Sequence, residues 1–110
     1  MTGREERIAR NEVLFRDLNE RLREVVTSIS GEAPDLLEIF CECGAEQCMA
    51  RITVQARQYE EVRSRPERFL VAPDHDVPDV ESVVACHDRY WVVEKHPEEA
   101  QIAREEDPRS

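Results

Sequence analysis

The chain has 110 residues, the size of one domain, and its 15 Lys plus Arg against 25 Asp plus Glu give a net charge of −10. That balance argues against a nucleic-acid binder, which needs clustered positive charge, and against docking on anionic lipid. No apolar run nears the roughly 20 residues of a bilayer span, and Met1 to Glu6 is too acidic and polar for a signal peptide, so a cytoplasmic protein is expected.

The first predicted element is a long helix over residues 4–29. Thr2 and Glu5 have the spacing of a capping box. No Pro or Gly interrupts residues 4–30, and Gly31 sits where a C-terminal cap wants positive φ. Apolar residues recur at Ile8, Phe15, Leu18, Leu22, Val25 and Ile29, in heptad a and d steps, with Asn11 in the one remaining core position. Leu14 and Val26 widen the stripe. The pairs Glu6/Arg10, Glu12/Arg16 and Asp17/Arg21 at i, i+4 are assigned to the outer, solvated face. The stripe then either packs on the domain behind it or serves self-association or docking with a protein partner.

Residues 30–35 read as a turn, Leu36 to Phe40 as a short strand, Cys41 to Cys48 as a tight loop, and Arg51 to Val54 as an alternating, half-buried strand antiparallel to the first. A helix is predicted over 55–65, with Tyr59 and Val62 inward and Pro66 ending it. Residues 69–72 are extended and 73–78 a Pro-flanked loop. Val80, Val83, Val84 and His87 have i, i+3, i+4, i+7 spacing, which predicts a short helix over 79–87. Tyr90 to Val93 is a β-branched and aromatic strand, and both Tyr90 and Trp91 are assigned to the core. Residues 96–110, acidic and without periodicity, read as a disordered tail. The fold class is α+β: an N-terminal helix over 1–30, a small body over 31–95 and a tail over 96–110.

Chemistry concentrates in Cys41, Cys43 and Cys48, a C-x-C-x4-C loop. Thiols in a reducing compartment stay reduced, so clustered cysteines point to metal or redox chemistry. Structural zinc takes four N or S ligands at tetrahedral corners, and Gly44 allows the tight turn. His75 is the favoured fourth ligand, because a loop residue can be aimed at a metal without breaking a helix. Cys86, His87 and His96 are the other candidates. Cys86 reads as a small buried hydrophobe on its helix. Glu42 and Glu46 read as solvated loop residues. A closed Cys3His set leaves no open position for a substrate, and no nucleophile–base pair or paired carboxylate stands out, so an enzyme is not expected.

The string Cys41 to Cys48 resembles the post-SET zinc loop of lysine methyltransferases, which has the C-x-C-G-x-x-x-C spacing and takes its fourth ligand from elsewhere. Nothing in the chain resembles the cofactor or catalytic strings of that domain, so no methyltransferase activity is implied. Over nearly its whole length the chain resembles a family of small bacterial, chiefly actinobacterial, proteins. The shared pattern comprises Arg10 to Arg16, Asn19-Glu20-Arg21, Phe40 to Gly44 with Cys48, Tyr59 to Arg63, Arg68 to His75 and Tyr90 to Lys95. Gln58 departs from it, as does Asp74, where Gly precedes the His in the pattern. The resemblance implies Cys41, Cys43, Cys48 and His75 as a zinc set and no particular reaction. The expected function is a non-enzymatic, zinc-stabilised protein-interaction or regulatory module, with a thiol- and zinc-based redox sensor as the alternative.

Overall fold

Thr2 starts the first helix through a reciprocal capping box: its side chain accepts from the Glu5 backbone N–H, and the Glu5 carboxylate accepts from the Thr2 N–H. The helix, α1 (Gly3–Ser30), stops where Gly31 adopts φ 78° and donates its N–H to Thr27. The computed structural model describes residues 2–31, 35–45 and 47–109; the turn read over 30–35 falls largely outside them, and so does Glu46. Strands β1 (Leu36–Phe40) and β2 (Arg51–Gln55) pair antiparallel around the cysteine loop, Ile39 opposite Ile52. Then follow α2 (Ala56–Arg63), β3 (Arg68–Val71), β4 (Glu81–Cys86), β5 (Trp91–Lys95) and α3 (Pro97–Glu105). The second sheet is antiparallel, in the order β3-β5-β4. The fold is α+β: a long N-terminal helix followed by a small body of sheet and helix.

One apolar cluster joins the two sheets through Leu37, Ile39, Val54, Tyr59, Leu70 and Val92. A second lies under α1 and contains Val13, Cys41, Cys43, Phe69, Val71, Val93 and Ala103.

Three sequence expectations are corrected here. Residues 81–86 form a strand, not part of a helix: β4 pairs along β5, with a register shift between Val83 and Ala85. A bulge of this kind lets a strand imitate helical spacing, because it breaks strict alternation. The disordered tail expected over residues 96–110 is not found in the described residues 96–109. Pro97 occupies the first turn of α3, which buries Ala100, Ile102 and Ala103 against the body. Asp107 and Arg109 beyond it enter a buried ion network.

The third correction concerns α1. Its body-facing side is polar: Glu12, Arg16, Asn19 and Glu20 are buried beside Ala9 and Val13. Glu12 and Arg16 are therefore not an exposed i, i+4 pair. Glu12 bonds Lys95 on β5, which also bonds Glu81. Arg16 donates to the Ala103 carbonyl at 2.8 Å and lies over the Phe69 ring at 4.5 Å. Glu20 accepts from Arg63 at 2.8 Å and from Arg109, while Arg63 also reaches Asp107 at 2.7 Å. Burying such charges is tolerable only when they are paired and hydrogen-bonded. Much of the apolar stripe is turned to solvent instead: Leu14 is 65 % exposed, Val25 53 % and Ile29 82 %. The outer pairs Glu6–Arg10 and Asp17–Arg21 do form, at 3.1 and 3.2 Å.

Candidate metal centre

The loop between β1 and β2 is wound tightly by its own backbone. Cys41 donates its N–H to the Ala50 carbonyl at 2.9 Å and Cys48 to Ala45 at 3.1 Å. Gly44 has φ 77°, a conformation that glycine adopts without penalty. Its Cα side is closed off by α1: an added Cβ would lie 2.7 Å from Glu12 Cγ and 2.8 Å from the Ile8 carbonyl oxygen. Asn11 on α1 donates to the Gly44 carbonyl at 3.2 Å.

His75 comes to the loop from the segment after β3. Its N–H donates to Ala72 at 3.0 Å, and Asp74 before it sits at φ 68°. Gly would adopt that left-handed conformation at least cost, and Asp is among the few other residues that tolerate it.

The Sγ atoms of Cys41, Cys43 and Cys48 and a ring nitrogen of His75 lie within 4.8 Å of one another, close enough to hold one metal ion. His75 Nδ1 is 3.5 Å from Cys41 Sγ and 3.6 Å from Cys48 Sγ. A tetrahedral zinc ion with bonds of about 2.3 Å to sulfur and 2.0–2.1 Å to nitrogen requires S···N edges of about 3.6 Å. The two S···N separations from His75 to Cys41 and Cys48 match such edges, and the donors are of the kind that zinc takes. The Ala72 backbone N–H, 3.1 Å from Cys41 Sγ, donates to that sulfur and would stabilise its thiolate. Between the thiols, a hydrogen bond from Cys41 holds Cys43 down to about 4 and pushes Cys41 itself upward.

The other candidates lie apart from this cluster. Cys86 is exposed on β4, so it is not the buried hydrophobe its helical reading implied. His87 stacks on Tyr90, with ring centroids 4.5 Å apart. His96 precedes α3 and lies 3.2 Å from the Ser82 hydroxyl.

Glu42, read from sequence as solvated, is wholly buried. Its carboxylate accepts from the Leu70 N–H at 3.0 Å and from Asn19 Nδ2 at 2.9 Å. Burial pushes its pKa up, against these hydrogen bonds and the nearby Arg16. Asn19 also donates to the Phe40 carbonyl and accepts from the Phe40 N–H, both at 2.9 Å. Sequence reasoning missed these residues as parts of the site. The available signal was Asn11, a polar residue inside an apolar heptad pattern; it ties the cysteine loop to α1. No protein-family model, curated protein or solved structure matches the chain.

Proposed function

We propose that this chain is a non-enzymatic module, held together by a structural zinc ion on Cys41, Cys43, Cys48 and His75, that works by binding a protein partner through α1. The observation that carries this reading is the coincidence of a donor set of three sulfurs and one nitrogen, all within 4.8 Å of one another, beneath a helix whose apolar face points away from the body. Three thiolates and an imidazole suit zinc better than a hard cation such as magnesium or calcium. Four protein donors fill its tetrahedron, so the ion's contribution is folding energy, not catalysis. Such thiolates survive in a reducing compartment, which agrees with a cytoplasmic protein. The resemblance of the loop to post-SET zinc loops and of the chain to the small actinobacterial family supports the same ligand set. No helix among the described residues is long and apolar enough to cross a membrane.

The test is metal content after purification without added metal. One zinc per chain is expected, lost in both Cys43→Ser and His75→Ala, with a fall in thermal stability on chelation. Absence of stoichiometric metal from the intact protein overturns the reading. Metal lost in Cys43→Ser but retained in His75→Ala removes His75 from the set.

A second reading, a thiol-based redox sensor, is favoured by one observation: Cys48 and His75 are only half-buried, so the rim of the site is open to solvent. Hydrogen peroxide would take two electrons from the Cys43 and Cys48 thiolates and two protons from the buffer acid. The products would be one disulfide, two water molecules and a released Zn2+. Zinc release at low peroxide, reversed by a dithiol and zinc, is the expected result for a sensor. A site inert to peroxide overturns it.

A further inference from the structure

The apolar face of α1 has the wrong orientation for a core helix and the right pattern for a helix pair. Leu14, Leu18, Val25 and Ile29 are exposed, and Phe15 and Leu22 partly so. Phe15, Leu18, Leu22, Val25 and Ile29 recur in heptad steps along about 21 Å of helix, at 1.5 Å per residue, and Leu14 borders them. Contiguous apolar surface of this kind is rarely left open on a monomer. We infer that α1 pairs antiparallel with α1 of a second copy of this chain. This inference rests on the docking face of the proposed module and names its occupant.

Two features of the molecule favour a second copy. The first is register. Antiparallel pairing sets a positions against d positions. An alignment that places Leu18 against Leu22 of the other copy also sets Phe15 against Val25 and Asn11 against Ile29. Apolar residues then meet apolar ones at the Leu18–Leu22 and Phe15–Val25 levels, and the two-fold axis repeats both levels.

The second is charge. Residues 3–30 contain six arginines and six carboxylates, so α1 is neutral and the whole −10 resides in the remainder of the chain. The body packs on the face of α1 that carries Glu12, Arg16 and Glu20, away from the stripe. Pairing by the stripe therefore joins two neutral helices and leaves both acidic bodies on the outside, where their mutual repulsion is weakest. Arg21 and Asp17 border the stripe as an existing ion pair, so one flank presents both signs. The contact is small beside a standard interface, and a micromolar dissociation constant is the expected scale.

Sedimentation equilibrium on the zinc-replete full chain tests this between about 5 and 500 µM, the range that brackets a micromolar constant. The mass is expected to rise from 12.8 kDa toward twice that value. Leu18→Glu alone and Leu22→Lys alone are expected to be monomeric, with unchanged zinc content and circular dichroism. Their equimolar mixture is expected to recover the dimer, because only antiparallel pairing sets the new acid against the new base. A wild-type monomer throughout the range overturns the inference, as does a dimer that survives both substitutions. Failure of the mixture to associate overturns the antiparallel alignment. A monomer that keeps its zinc leaves the proposed module standing with a different partner, whereas a protein without zinc removes that reading first.

Discussion

Asn19 on α1 and Glu42 in the cysteine loop hydrogen-bond each other at 2.9 Å, both fully buried. Glu42 lies between two of the three cysteines, so this contact ties the seating of α1 to the shape of the cysteine loop. The helix meets the body through buried polar contacts of this kind as well as through Ala9 and Val13. Much of its apolar stripe faces solvent.

Asn19→Ala removes three hydrogen bonds at once, to the Phe40 carbonyl, the Phe40 N–H and Glu42. It leaves their partners unsatisfied in a buried place, where each costs about 1–3 kcal/mol. A loss of about 3–5 kcal/mol is expected in urea unfolding near neutral pH, with weaker zinc retention against a chelator. A loss below about 1 kcal/mol shows that α1 is not anchored through this contact.

Gly44 and Gly31 both have positive φ, 77° and 78°, but only Gly44 is crowded. Gly31→Ala meets nothing within 4 Å, so it is expected to cost only the left-handed backbone penalty of about 1–2 kcal/mol. Gly44→Ala drives a methyl group into Glu12 and the Ile8 carbonyl. It is expected to cost at least about 2 kcal/mol more than Gly31→Ala, measured as paired urea midpoints. Equal effects mean that α1 does not press on the loop.

Burial raises the Asp107 pKa, but hydrogen bonds from the Arg109 backbone and from Arg63 outweigh it and hold the group below its ordinary value. A carboxyl with a depressed folded pKa contributes stability above its unfolded pKa and loses that contribution as pH falls through the folded value. Asp107→Asn is therefore expected to be about 2–4 kcal/mol less stable than wild type near neutral pH. The gap should narrow progressively below about pH 4.5. Taking the difference between the two proteins cancels the acid sensitivity of the proposed zinc site. A gap that is constant with pH rules out a charged Asp107 as the cause.

Local signals in the sequence were sufficient for the ends of α1, the β1–β2 pairing and the loop that carries Cys41, Cys43 and Cys48. Each depends on residues close together in the chain: the Thr2–Glu5 box, Gly31, and alternation over Arg51 to Val54. His75 was selected by the character of its loop, and the fold brings it to the sulfurs through the turn after β3. The inner face of α1 was not legible. Periodicity reports that a helix has an apolar side but not which side is buried, and here Lys95, Arg63 and Phe69, distant in sequence, supply partners that make the polar side the buried one. The same distance hid Glu42, whose partners Asn19 and Leu70 lie more than twenty residues away on either side. β4 was hidden for a local reason: its partner β5 follows closely in the chain, but the register shift at Val83 and Ala85 breaks strict alternation and imitates a helical spacing. Burial of a charge depends on the partner that meets it, and only the tertiary structure brings that partner into reach.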